Sequence, residues 1–462
     1  MGTTTGSSFL FNTQTRSVNG TQTLSSVFQN TYRHQEEQLD AYEGYTLFSP
    51  EYSSYTYLIN NNGRILHWWK SEYIQSFGVV LGENGNLYRL DLPYDNPIFR
   101  SGGMAGRVEI FDEESTLLWA FEYSDENHCL HHDIEVLPNG NILMIAWEYK
   151  TRDEAINAGR NPSHMQTESI WPDHVIEVEP IGSSGGIIVW EWHVWDHLIQ
   201  DYDPAKDNYG IVEEHPELLD INYGNDGRDW NHLNSIAYNE VFDQIVLSCK
   251  NFNEIWVIDH STTTEEAAGH TGGTSGKGGD ILFRWGNPQT YRAGTESDRK
   301  FYGQHDTTWI EEGYPGEGNL LVFNNGGWNR HYSTVDEITP PVDSQGNYHL
   351  VPGEAYGPEE QTWVYTADPP ESLSSSTVSS AQRLPNGNTL ICSGNQGLFL
   401  EVTTDQNIVW RYWNILPSPF TNAVAQIRRY APDYPGIPDA VSTNQGSVLG
   451  HFILYVLSHH IS

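Results

Sequence analysis

The chain is 462 residues long and carries a formal net charge of −38, from 61 acidic against 23 basic side chains. That excess argues against nucleic acid or an anionic membrane surface as partner, and any anion site must be locally cationic and shielded. With 42 Gly, 26 Tyr and 16 Trp the chain suits many short strands and tight turns, and helical periodicity is confined to residues 153–159 and the acidic stretch 213–219.

Residues 1–40 read as a low-complexity segment. Their first 35 positions are rich in Ser, Thr, Gln and Asn and show no apolar core of a signal peptide. Tyr45-Thr-Leu-Phe, Tyr57-Leu-Ile and residues 65–69 then give three strands of a blade that lacks its first strand. From there two patterns alternate along the chain. One is a turn followed by a strand: Gly82-Glu-Asn-Gly-Asn-Leu, Leu137-Pro-Asn-Gly-Asn-Ile-Leu, Gly316-Glu-Gly-Asn-Leu-Leu-Val-Phe and Leu384-Pro-Asn-Gly-Asn-Thr-Leu. Asn-Gly is a strong hairpin signal because both residues accept positive φ. The other is a strand ending in tryptophan, found six times: Ile65-Leu-His-Trp-Trp, Leu117-Leu-Trp, Ile187-Ile-Val-Trp, Ile281-Leu-Phe-Arg-Trp, Thr362-Trp-Val-Tyr and Ile408-Val-Trp.

A third short strand sits between them, as in Val108-Glu-Ile and Val175-Ile-Glu-Val. The repeating unit of four strands predicts an all-β, six-bladed β-propeller over residues 41–436. Residues 423–430 supply a first strand without successors. Pairing them with the N-terminal strands closes the ring and removes open sheet edges. Residues 437–462 are left as a tail, and their apolar run 448–457 is too short to span a bilayer. Cys129, Cys249 and Cys392 lack CxxC spacing and read as small buried side chains.

In a propeller the first strand of each blade lies nearest the axis. Aligning blades by the turn places His132, His232 and His305 at one level, with Ser379 in the fifth blade and Gln426 in the closing blade. Alternation along a strand lets only one of His131 and His132 face the axis. Three converging imidazoles suit either a transition-metal site, with Asp133 and Asp306 nearby, or metal-free nucleophilic and acid–base catalysis. Lys250 and Asn251 end the second strand of the third blade, and Arg228 stands close to His232 in sequence. Cations and amide donors around imidazoles favour an anionic substrate. Arg228 is expected to pair with a carboxylate, and Trp147, Trp309 and Trp328 are candidates for stacking on an aryl ring.

At these residues the chain resembles the aryl-sulfate sulfotransferase family. The matching segments are His131-His-Asp-Ile-Glu-Val-Leu-Pro-Asn-Gly-Asn, Asp229-Trp-Asn-His-Leu-Asn-Ser-Ile, Gly303-Gln-His-Asp, Gly318-Asn-Leu-Leu-Val-Phe-Asn-Asn-Gly and Ala381-Gln-Arg-Leu-Pro-Asn-Gly-Asn-Thr-Leu. The resemblance implies transfer of a sulfuryl group from a small aryl sulfate donor to a phenolic acceptor, without an adenylyl-sulfate donor or other cofactor. No Walker-type loop is present to suggest otherwise.

It further implies that His305 is transiently sulfated, that His132 holds the sulfate and serves proton transfer, and that the protein works in the periplasm or is secreted. His305, His132, His232 and Lys250 are thus the candidate catalytic residues. Asn251, His131, Arg383, Arg284 and Asn234 are the candidates for substrate binding, with Lys250, Arg284 and Arg383 as stand-ins for the family's arginine. Characterised members carry a histidine where this chain has Asn251, which can donate a hydrogen bond but cannot move a proton near neutral pH.

Overall fold

The computed structural model describes residues 40–327, 330–438 and 441. The expectations for residues 1–39 and for nearly all of the C-terminal tail, as well as for Trp328, lie outside them.

Six four-stranded antiparallel sheets form the blades of a β-propeller. Blade one comprises Ile74–Leu81, Leu87–Leu92, Arg107–Phe111 and Leu117–Glu122; blade two His128–Val136, Ile142–Glu148, Asp173–Pro180 and Gly186–His193; blade three Leu233–Asn239, Gln244–Cys249, Glu254–Asp259 and Phe283–Trp285. Blade four comprises His305–Trp309, Leu320–Asn324, Thr334–Ile338 and Trp363–Thr366, and blade five Ser380–Arg383, Thr389–Ser393, Leu398–Val402 and Ile408–Trp413. Blade six takes its first strand, Val424–Tyr430, from the far end of the chain and the rest, Tyr45–Pro50, Tyr55–Asn60 and Ile65–Lys70, from the near end. The closing register pairs Tyr45 with Tyr430 and Leu47 with Arg428.

Middle strands are covered on both faces by neighbouring blades, so Ile142–Glu148, Gln244–Cys249 and Glu254–Asp259 are buried at every position. Outer strands alternate, as Gly186–His193 does. The six recurring tryptophans explain themselves at this level. Each donates its indole N–H to the segment that joins the third and fourth strands of the next blade. Trp69 reaches Asp112 O (3.1 Å), Trp119 Gly185 O (2.8 Å) and Trp190 Thr262 Oγ1 (3.1 Å). Trp285 reaches Pro358 O (2.8 Å), Trp363 Thr404 O (3.0 Å) and Trp410 Asn61 O (2.6 Å). The repeat seen in the sequence is therefore a belt that passes from blade to blade.

A second set of inter-blade bonds runs near the axis. Ile236 N–H donates to Asp133 Oδ2 (3.2 Å), Thr307 N–H to Ser235 Oγ (2.8 Å), Ala381 N–H to Asp306 Oδ2 (2.9 Å) and Ile427 N–H to Ser380 Oγ (3.0 Å). Just before these positions the first strands of blades one to four lose register. Such bulges re-aim side chains at a strand end. The backbone is left-handed there at His132 (φ 59°), His232 (φ 58°) and Asp306 (φ 53°).

The helix expected at 153–159 is present as Arg152–Asn157, started by a capping box of Thr151 and Glu154. The stretch 213–219 holds only the single turn Val212–Glu214. Pro216 has no N–H to give and disfavours helical backbone at His215. All three cysteines are free and buried.

Candidate active site

The first strands converge on a narrow cleft at one end of the channel, lined by Phe77, His132, Asp133, Asn234, His305, Asp306, Val378, Ser379, Ala425 and Gln426. It leaves about 20 Å³, room for one or two waters. A sulfuryl group could enter only by displacing them, with an aryl ring held further out.

The inter-blade bonds fix which residues are equivalent. Each acceptor (Asp133, Ser235, Asp306, Ser380) is preceded by a residue that lines the cleft: His132, Asn234, His305 and Ser379. Blade three thus contributes Asn234 at this level, not His232. Asn139 stands in its turn, whereas Asn239 is still in the ladder, paired with Gln244. Anchoring the alignment on those two asparagines shifts the count by two residues. His232 still reaches the site through the bulge, with its ring centroid 4.5 Å from that of His132.

His305 is held from behind. Asn325 donates through Nδ2 to Ser375 O (2.8 Å) and Val378 O (2.9 Å), which turns its Oδ1 toward His305 Nδ1 at 2.8 Å. Gly303 O lies 3.0 Å from the same nitrogen. Two acceptors on Nδ1 place the proton there and leave the lone pair on Nε2. Burial, reinforced by the Lys250 charge, pushes the His305 pKa down to about 3, so the ring is neutral.

His232 is oriented in the same sense by a carboxylate, its Nδ1 lying 2.6 Å from Asp229 Oδ2. Asp229 also accepts from Ser101 Oγ (2.6 Å) and Trp147 Nε1 (3.1 Å). Burial alone would raise that carboxyl, but His232 and Ser101 outweigh it and hold its pKa at about 2.

Of the two adjacent histidines, His132 lines the cleft and His131 lies behind it. His131 is fully buried, stacks on Trp147 (4.1 Å, 15°) and shares one proton with His132 across 2.8 Å between their Nδ1 atoms. Its Nε2 is 2.9 Å from Asp173 Oδ1 but out of line for a hydrogen bond. Burial, then His232 and the other nearby positive centres, drives the His132 pKa well below its ordinary value. Gly103 makes room for this ring, since a Cβ there would overlap it.

Lys250 directly follows the second strand of blade three, its N–H bonded to His232 O (3.1 Å). Its ammonium has no hydrogen-bond or ion-pair partner among the described residues, and its field depresses both His132 and His305. Burial lowers its own pKa, with Asp229 opposing. Asn234 gives Nδ2 to Gln304 O (2.8 Å), and its buried Oδ1 has no partner among the described residues.

Four expectations are corrected. Asn251 braces the loop before His232, its Nδ2 already spent on Asp229 O (3.0 Å) and Trp230 O (3.1 Å); like Lys250 and His232 it is not among the residues that line the cleft itself. Arg284 is fully buried against Glu254 (2.6 Å) and the carbonyls of Pro216 and Leu218. Arg383 pairs with Glu337 (2.5 Å) and lines a separate cleft with Trp309 and Arg428. Arg228 lies over the Trp171 ring (5.8 Å to its centroid) and has no carboxylate partner among the described residues. Trp147 is buried beneath His131, so the aromatic facing the cleft is Phe77, which sequence reasoning missed. Asn325 and Asp229 were missed as well, although both stand within the matched segments. An acid three residues before His232 was the one readable signal.

Among the described residues, three possible metal-ligand atoms fall within 4.8 Å of one another at His197, His270 and Asp280, outside this cleft. His132, His232 and His305 do not close to that spacing.

The sequence profile of the family Arylsulfotransferase (ASST) matches residues 25–417. No curated protein matches. Among solved structures, a protein of unknown function from Bacteroides caccae is similar at 10% identity and a TM-score of 0.46, covering 84% of this chain and 98% of its own. A putative 6-phosphogluconolactonase from Bacteroides fragilis is similar at 11% identity and a TM-score of 0.42, covering 84% of this chain and 98% of its own.

Proposed function

From the premise that the chain belongs to the arylsulfotransferase (ASST) family, we propose that it moves a sulfuryl group from an aryl sulfate to a phenol by a two-step exchange through a sulfated His305. The observation that carries this reading is the tautomer of His305. Asn325 holds the proton on Nδ1, so a neutral ring presents its Nε2 lone pair.

In the first step Nε2 attacks sulfur, the N–S bond forms and the S–O bond breaks, with its electron pair leaving on the phenolate. The Nδ1–H that remains on the sulfated ring keeps its bond to Asn325, which offsets the positive charge gained. His232, in its protonated form, gives its Nε2 proton to the phenolate, and Asp229 holds the ring in line. Lys250 counters the charge on the sulfuryl oxygens and neutral His132 offers them a hydrogen bond, in a site largely closed to water.

In the second step an acceptor phenol replaces the first. Its hydroxyl proton passes to the now neutral His232, its oxygen attacks sulfur, and the N–S pair returns to His305. Atoms and protons balance over the cycle, and no cofactor is consumed. A phenol with pKa near ~10 both leaves and attacks readily enough for the exchange to run in either direction.

Brief exposure to p-nitrophenyl sulfate followed by mass spectrometry tests the proposal. The expected result is one added sulfuryl group on the peptide containing His305, lost in His305→Ala together with nitrophenol release. Unchanged release from that variant, with no sulfated histidine, overturns it.

A further inference from the structure

The cluster His197, His270 and Asp280 belongs to no part of the chemistry above. His197 ends the turn Val194–His197 that follows the outer strand of blade two. His270 and Asp280 lie in the glycine-rich insertion between the third and fourth strands of blade three. His197 Nδ1 is 3.0 Å from Asp280 Oδ1, and His270 Nδ1 is 2.7 Å from the same oxygen.

The tautomer of His197 makes this arrangement informative. Its Nε2 lies 2.8 Å from Ala267 O, and a carbonyl can only accept. The proton therefore sits on Nε2, and in the neutral ring Nδ1 bears a lone pair. That lone pair faces an oxygen of Asp280, itself an acceptor. Two acceptors at this distance repel unless a cation lies between them. A histidine whose far N–H is fixed by a backbone carbonyl is also the usual setting of a metal-bound imidazole.

We propose that His197 Nδ1, His270 Nδ1 and the Asp280 carboxylate bind a divalent transition-metal ion, with Zn²⁺ the best match to two imidazoles and one carboxylate. All three ligand atoms already lie within 4.8 Å of one another. Bonds of about 2.0–2.2 Å in a tetrahedron set its edges at about 3.3–3.6 Å, so small shifts suffice.

The support behind the ligands is rigid. Trp192 stacks on His197 (5.6 Å, 10°) and donates to Gly279 O (2.7 Å). A Cβ on Gly279 would overlap Ala267 O and crowd His197 Nε2, so only glycine lets the insertion approach this closely. The His270 side chain is 59% exposed, which leaves the fourth position to water. The ion joins the insertions of two neighbouring blades at the outer rim, and its role is structural rather than catalytic.

Calorimetric titration of the untagged full chain with ZnCl₂, in excess Mg²⁺ to occupy the acidic surface, tests this. The expected result is one Zn²⁺ per chain and a raised Tm. His270→Ala removes an exposed ring without threatening the fold, and Asp280→Asn keeps the side chain's shape. Each should weaken Zn²⁺ by at least ~10-fold, while His132→Ala should leave it unchanged. No saturable binding means that a proton is the bridging cation and overturns the proposal. So does binding that survives both substitutions, or that is lost with His132.

Discussion

On the first strand of each blade, two adjacent positions meet opposite fates. At one, Asp133, Ser235, Asp306 and Ser380 accept the N–H of the next blade and hold the ring together. At the other, one residue earlier, His132, Asn234, His305 and Ser379 line the cleft. The carboxylate level is neutralised by bonding: Arg428 grips Asp306 through two contacts (2.5 and 3.1 Å), and Asp133 receives Gln426 as well as Ile236. The imidazole level is neutralised by proton loss in a buried field that contains Lys250. Asp133 and Asp306 also border the cleft, so the lesson is one of commitment rather than of place: a single step along a strand separates groups whose polar atoms are already bonded between blades from those left available for reaction.

That contrast can be broken from either side. His305→Ala should lower transfer by about 10⁴-fold or more, with urea unfolding nearly unchanged. Asp306→Asn should do the reverse. It strands Arg428, a partly buried cation, and should cost about 2–3 kcal/mol of stability while activity per folded molecule falls far less. Equal losses of both kinds in either variant would erase the distinction.

Asn325→Ala sharpens it further. Only Gly303 O would then hold the proton on His305 Nδ1, and kcat should fall by roughly 10-fold with little change in KM. A change confined to KM would mean that Asn325 acts on binding instead.

The two levels should also respond oppositely to pH. Burial, then Asp306, raises Asp133 from 3.8 to about 7. The folded protein therefore holds a proton that the unfolded chain has released, and stability falls as pH rises from about 4 to about 7. His305, lowered from 6.5 to about 3, gives the opposite slope, with stability lost as pH falls below 6.5. Each group contributes at most ~1.4 kcal/mol per pH unit. Urea midpoints between pH 5 and 8 should show Asp133→Asn weakening the falling component, to which Glu135 also contributes, and His305→Ala weakening the rising one, to which His131 also contributes. The smallest effect belongs far from both levels: Trp410→Phe removes one belt bond and should cost about 1 kcal/mol without altering transfer.

The architecture was legible because its devices are local. Asn-Gly turns and tryptophan-ended strands recur in the letters themselves, and even the split sixth blade could be counted from its two remainders. The site was legible only in part. His132 and His305 follow directly from strand position, but His232 was placed by a turn that blade three does not share. Arg284 and Arg383 look in sequence like any free cation, and only the folded neighbours, Glu254 and Glu337, reveal that they are already spent. Asn325 stood within a matched segment, yet its task depends on carbonyls of the fifty-residue stretch that follows, which no local pattern announces.

The pairing of Tyr45 with Tyr430 has a bearing on how the molecule is made. Nearly the whole described chain must be synthesised before the last sheet can receive its innermost strand. Until then the nascent protein is an open arc with two bare edges, and its final step joins segments that are distant along the chain, a slow event exposed to wrong partners. Refolding should therefore end in one late phase, and a cut that releases Val424–Tyr430 should leave an arc prone to associate with other copies.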